Sequence, residues 1–298
     1  MIVSSDYITE PPKKRFFFSK VFRSVMKKLV RFEWFLRVNL NYYLRIYFKK
    51  NPLRLNKICI LLASKSRPGK LDRLLDSLVK NTKYKSRIKI LVLLDENEKK
   101  KIEYEEVKKK NILKGLYLEY YFKNLDSHSE RETYLANMHL NEDLYFHSGD
   151  DSVFVLENWD IYLDYIESKT DRNKPYSIWT RSNVVHEKFY YLHSDFPIIN
   201  NLWFKKIGYF GAKFKFENNK INIPNFEDLW ICELGRLTKR FIITKKFILN
   251  HLNAFFPENS NEFDETAEKR LQDKKIDYFS VWKKTKSFRE EDAKKLLS

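Results

Sequence analysis

Glycine is scarce in this chain, with 6 in 298 residues. Neither G-x-G-x-x-G nor G-x-x-x-x-G-K-[ST] occurs. Without those loops the backbone cannot come close to phosphates as it does in dinucleotide-binding and P-loop proteins. Cysteine is rarer still, with Cys59 and Cys232 alone, each inside an apolar run. Two thiols cannot build a disulfide scaffold, and with no C-x-x-C there is no zinc ribbon or redox pair. They read as buried thiols, and a reducing compartment suits them better than a secretory one. No apolar run approaches the ~20 residues that span a bilayer, and no cleavable signal peptide is evident. Acids are scarce in one long basic stretch. Residues 11–57 hold 14 Lys or Arg and a single acid, Glu33.

What is present suits a globular protein. Hydrophobic residues make up 43% and charged residues 33%, enough of both for a core and a solvated surface. The length fits one large domain or two small ones. The net charge is +17, of which +13 falls in residues 11–57 and only +6 in residues 58–298. A nucleic-acid-binding domain would spread such charge over its folded surface, so no nucleic-acid partner is expected.

The basic stretch interleaves Lys and Arg with bulky apolar residues. Phe18, Phe22, Val25, Met26, Leu29 and Val30 recur at helical spacing, with Lys20, Arg23, Lys27 and Arg31 between them. Such a helix could lie on an anionic membrane surface, apolar face down. It could equally pack on the rest of the protein with a solvated basic face. The expected location is cytoplasmic, peripheral at the inner face of a membrane in the first case.

From Lys57 the pattern alternates. ICILLA (58–63) is a short continuous apolar run, as in a strand buried on both faces. The turn SKSRPG leads to a helix with Leu71, Leu74, Leu75, Leu78 and Val79 on one side. Further strands are predicted at 88–95, 116–122 and 143–151, with helices near 99–110 and 129–140 between them. This order implies an α/β fold with an open, mostly parallel sheet flanked by helices. Ligands of such sheets bind at the carboxyl ends of strands. Ser64 to Arg67, Asp95, and Asp150 with Asp151 all fall there. Beyond, helices are predicted at 158–168, 199–207 and 226–238, and strands at 176–180 and 240–249. The expected organisation is a basic helical arm (1–56), a domain in two halves (57–152 and 153–255), and a charged helical tail (256–298).

Gly149-Asp150-Asp151 carries the strongest chemical signal. Two adjacent carboxylates after an apolar strand cannot both be buried unpaired. A hard divalent cation, Mg2+ or Mn2+, is their natural partner and keeps coordination positions for phosphate. A turn or helix cap would also use these residues.

The runs ILLASKSRPGKLDRLLDSL (60–78), the strand ending at Asp95, and YFHSGDDSVFVLENWD (145–160) resemble glycosyltransferases of the GT-A fold, a Rossmann-like fold for nucleotide-diphospho-sugar transferases. Within it they look most like family-2-like enzymes of surface-polysaccharide synthesis. The resemblance covers roughly 57–255. It implies a UDP- or GDP-sugar donor, and a glycan or lipid-linked hydroxyl acceptor. Ala63, Ser64, Arg67 and Asp95 would hold the nucleoside, with Asp150 beside them. Asp151, the last acid of a D-x-D-type motif, would be the direct metal ligand. Gly149 stands where many members carry an acid that touches the ribose, so that contact is not expected here. His251 would complete the metal shell or touch the diphosphate.

NFEDLWICELGRL (225–237) puts Glu227 and Asp228 at the start of a helix, where acids also serve as caps. By resemblance one of them is the base of an inverting transfer, Asp228 first and Glu227 second. HSDFPIINNLWFKKIGYF (193–210) resembles the acceptor-side segment, with Trp203 and Trp230 as candidate sugar platforms. His186 and His193 show no metal-ligand spacing. Two other functions fit parts of the sequence: nucleotidyl transfer, because Gly-Asp-Asp also marks polymerase palms, and a non-catalytic membrane-surface module with a degenerate transferase domain.

Overall fold

The computed structural model describes residues 51–125, 128–181, 194–211, 227–251 and 285–298, with residues 25, 28, 29, 32, 33, 35, 36 and 38–44 of the arm. His186 and His193, the arm before residue 25 and the tail from 256 to 284 lie outside the described residues.

Strands β1 (Ile58–Ala63), β2 (Ile88–Leu94), β3 (Tyr117–Phe122) and β4 (Leu144–His147) follow the predicted order. Helices α1 (Pro68–Asn81), α2 (Lys101–Leu113) and α3 (His128–Met138) connect them. The second half adds β5 (Ser152–Phe154), α4 (Trp159–Glu167), β6 (Ser177–Arg181), β7 (Pro197–Asn200), α5 (Asn201–Ile207), α6 (Glu227–Thr238), β8 (Phe241–Phe247) and β9 (Leu249–His251). Helix α7 (Lys286–Leu297) closes the chain, in the part of the tail predicted helical.

The main sheet has seven strands in the order β3-β2-β1-β4-β7-β6-β8. Every pairing in it is parallel except those of β7 with β4 and β6. It is therefore the mostly parallel α/β sheet expected. All six residues of β1 are buried, because helices cover both faces. Ile58, Ile60 and Leu62 join one core with Leu71, Leu74, Leu75 and Leu78 of α1. Cys59 and Leu61 join the other, with α5 and α6. Each fully buried Leu contributes roughly 1.5–3 kcal/mol of transfer free energy. Both cysteines are free and buried, as read from the sequence.

Two departures from the predicted elements shape the functional region. The strand expected over 143–151 stops at His147. Residues 148–151 form a turn closed by Ser152 N–H to Gly149 O (3.2 Å), and the chain resumes as β5. The strand expected over 240–249 stops at Phe247. Residues 249–251 then leave the main sheet and pair antiparallel with β5. A third departure is β7 (197–200), which takes residues 199 and 200 from the front of the helix predicted over 199–207. Asn200 caps α5 instead, its side chain accepting from Trp203 N–H at 3.1 Å.

Candidate functional site

Three loops meet at the carboxyl ends of β1, β2 and β4. The first is short, since Ala63 ends β1 and Pro68 opens α1. Proline suits the first helical position, where its missing N–H costs nothing. Between them Ser66 is held left-handed at φ 55, a conformation costing of order 1–3 kcal/mol outside glycine. The neighbouring loop holds it there. Ser66 N–H donates to Glu98 Oε2 at 2.8 Å, and Lys100 N–H donates to the other oxygen at 3.0 Å. Tyr104 OH accepts from Arg67 N–H at 3.0 Å and bonds Ser64 Oγ at 2.7 Å. Burial pushes the Tyr104 phenol well above its ordinary range, so it remains a hydroxyl.

The first loop then reaches the acids after β4. Ser64 Oγ donates to Asp150 Oδ2 at 2.6 Å, and Arg67 Nη2 lies 2.9 Å from Asp150 Oδ1. Asp150 is 1% exposed. Burial pushes its carboxyl up to about 6; Arg67 pulls it down, Asp151 pushes it up, and the Ser64 hydrogen bond pulls it down. Asp95 sits at the end of β2 with Lys65 Nζ at 3.0 Å and Arg131 at 3.4 Å. Ser64, Arg67 and Asp150 are thus brought together, with Asp95 held beside them by Lys65 of the same loop.

Asp151 faces the small sheet. The register of β5 with β9 sets Ser152 opposite His251, which brings His251 Nε2 to 3.5 Å from Asp151 Oδ2. These two residues stand 100 positions apart in the chain. Gly149 makes the arrangement possible, because a Cβ there would meet Asp151 Oδ1 at 2.7 Å. Among the described residues, no three His, Cys, Asp or Glu side chains cluster as a metal-holding group.

Further residues escaped sequence reasoning. Phe196, just before β7, stacks on His251 with ring centroids 5.9 Å apart and also faces His147 at 6.4 Å. His147, the last residue of β4, is hydrogen-bonded through Nδ1 to Glu132 on α3, and both side chains are buried. Burial pushes the Glu132 carboxyl up, His147 opposes this, and Asp228 adds to it. Asp228 lies in the first turn of α6, its Oδ1 accepting from Leu229 N–H at 2.7 Å. Glu227 opens α6, and its side chain lies outside the described residues. Glu98 and Glu132 gave no local signal, since an isolated Glu reads as solvated surface until its burial is known.

Trp203 and Trp230 are core residues and not sugar platforms. Trp203 is 1% exposed, packed in the cluster with Tyr145 and Phe204. Trp230 donates its indole N–H to Asp292 of α7 at 3.1 Å, so it anchors the last helix. Neither ring has a free face for a ligand. A cavity lined by residues including Thr170, Lys174, Tyr176 and Arg240 lies elsewhere, beside the amino ends of β6 and β8.

No family model and no curated protein matches this sequence. Solved structures do match. The mannosyltransferase PcManGT from Pyrobaculum calidifontis, in complex with GDP-Man and Mn2+, aligns with a TM-score of 0.52 at 8% identity, over 78% of this chain and 70% of that one. TarS 1-349 from S. aureus in complex with UDP aligns with a TM-score of 0.47 at 14% identity, over 65% of this chain. This chain spans 60% of that TarS fragment. The TarS complex with UDP-GlcNAc gives the same TM-score and identity. The chain shares its GT-A-like fold, a mostly parallel α/β sheet flanked by helices, with PcManGT.

Proposed function

We propose that this chain is a glycosyltransferase that moves a sugar from a nucleotide-diphosphate donor to a hydroxyl acceptor, with inversion and with help from a divalent cation. One observation carries it. Arg67 and Ser64 after β1 bond Asp150 after β4, while Asp151 beside it meets His251 across the small sheet. These groups gather where open α/β sheets bind ligands.

Each residue has a part. Ala63, Ser64, Arg67 and Asp95 line the place for the nucleoside, and Asp150 is locked by Ser64 and Arg67. Asp151 and His251 offer one carboxylate and one imidazole, a donor pair that suits Mn2+ and leaves further positions to phosphate oxygens. A cation held there would neutralise charge growing on the departing diphosphate. Asp228 takes the acceptor's proton as the acceptor oxygen attacks the anomeric carbon and the bond to the diphosphate breaks. The products are a glycoside and a nucleoside diphosphate. Glu227 is the second choice for that base. A glycan or lipid-linked acceptor, as in surface-polysaccharide synthesis, fits this chemistry.

A panel of UDP- and GDP-sugars, assayed for release of nucleoside diphosphate with Mn2+, Mg2+ or chelator, tests the proposal. The expected result is turnover of one donor class that stops on chelation. Asp228→Asn should keep donor binding and lose transfer. No turnover of any donor under any condition would overturn the assignment, and turnover unaffected by chelation would remove the cation from it.

A further inference from the structure

The arm helix is docked by one face and bare on the other. Val38 is 2% exposed and packs with Trp179, Cys232 and Ile243. Asn41 Oδ1 accepts from Ile243 N–H at 3.0 Å, and Tyr42 rests against the main core. The opposite side carries Val25, Leu29, Phe32, Leu36, Leu40 and Tyr43, all exposed, with Leu29 at 54% and Phe32 at 59%. Steps of three and four residues put these six on a single stripe. The docked face fixes the helix on the domain, so rotation cannot bury the stripe.

A continuous apolar stripe of this length marks an interaction surface, and the charge of its surroundings selects the partner. Residues 11–57 carry +13. A second copy would set one such segment beside another, with like charges opposed. An anionic surface meets the same charge with attraction. Phe35 and Leu44, also exposed, flank the stripe on either side, and among the described residues no helix is long and apolar enough to cross a membrane. An apolar face with a Lys- and Arg-rich remainder is the pattern of a helix lying in the plane of a lipid interface.

We propose that the arm helix lies in the interface of an anionic lipid bilayer. Its Val25–Tyr43 stripe sits among the acyl chains and the positive charge of residues 11–57 draws it to the headgroups, holding the domain at the membrane surface. The inference does not depend on the reaction assigned above.

Sedimentation of the full chain with vesicles tests it, using phosphatidylcholine alone and phosphatidylcholine mixed with phosphatidylglycerol. The chain should pellet with the anionic vesicles only, and high salt should release it, because screening shortens the electrostatic reach. The triple variant Leu29→Glu, Phe32→Glu, Leu36→Glu should bind at least about tenfold more weakly, since it removes buried apolar area and adds repelled charge. Its melting temperature should stay unchanged. Three results would overturn the proposal. They are absence of binding, or equal binding to neutral vesicles; light scattering showing a dimer that the triple variant dissociates; and a large drop in melting temperature of the variant, which would mean the chain itself covers the stripe.

Discussion

Both ends of the main sheet hold an arginine paired with aspartate, and the two clusters differ in what they leave open to solvent. At the amino ends Arg87 lies 2.9 Å from Asp160 and 2.8 Å from Asp164. Backbone groups finish that cluster. Asp160 accepts from Lys83 N–H and Tyr84 N–H, and Asp164 accepts from Asn56 N–H and its side-chain amide. Such a network stitches β1, β2 and α4 together and presents nothing to solvent. At the carboxyl ends Arg67 pairs with Asp150, while Asp151 turns toward His251 with its side chain 13% exposed. Position relative to the strand ends, more than residue type, separates structural charge from candidate chemistry.

Four substitutions or conditions would break or sharpen that contrast. The largest effect is expected at the carboxyl end. Asp151→Asn should lower sugar transfer by about 10^3-fold or more, the scale of several kcal/mol of transition-state stabilisation. Its melting curve should match the parent's, because Asp151 does not hold the sheet. Steady-state kinetics beside a thermal melt would show whether the two effects separate.

Gly149→Ala should come next, with a loss of roughly 10^2-fold in turnover. The added methyl meets Asp151 Oδ1 at 2.7 Å, and the flexible carboxylate gives way before the backbone does. A displacement of about 1 Å in a reacting group is enough for that loss. Parent-like turnover would show that the position of Asp151 does not matter.

The amino-end cluster should answer in stability. Arg87→Met leaves Asp160 and Asp164 buried without their cation and should cost about 3–5 kcal/mol in a denaturant titration. Turnover per folded molecule should hardly change. A variant that folds normally but fails to transfer sugar would place Arg87 in the wrong class.

The smallest effect concerns pH. The folded-state value for Asp150, about 6, exceeds its ordinary value of 3.8, so the folded chain binds that proton more tightly than the unfolded chain does. The stabilisation is complete below about pH 3.8 and is lost as pH rises through about 6. Asp150→Asn should therefore flatten the melting temperature between those values relative to the parent. Identical slopes in both proteins would contradict the assignment.

Much of the first half was readable because its signals are local. Continuous apolar runs give β1, β2 and β4, and Leu71, Leu74, Leu75 and Leu78 give the buried side of α1. Strands β5, β7 and β9 have three or four residues each, too few for a period to register, and Pro197 argues against a strand at the start of β7. Their existence depends on partners far along the chain, as Ser152 depends on His251. The same non-locality hid Glu98, Tyr104, Glu132 and Phe196, each of which matters through a neighbour the sequence does not name. Trp203 and Trp230 were misread for the converse reason. An aromatic ring serves a core as readily as a ligand, and only packing decides between them.

The most direct test of the central claim is a calorimetric titration of the full chain with UDP and with GDP, with and without Mn2+, in the parent and in Asp151→Asn. One nucleotide should bind the parent tightly only when Mn2+ is present, and Asp151→Asn should bind it equally weakly in both conditions. Binding of equal strength with and without the cation, or an Asp151→Asn variant that still gains affinity from Mn2+, would contradict the account.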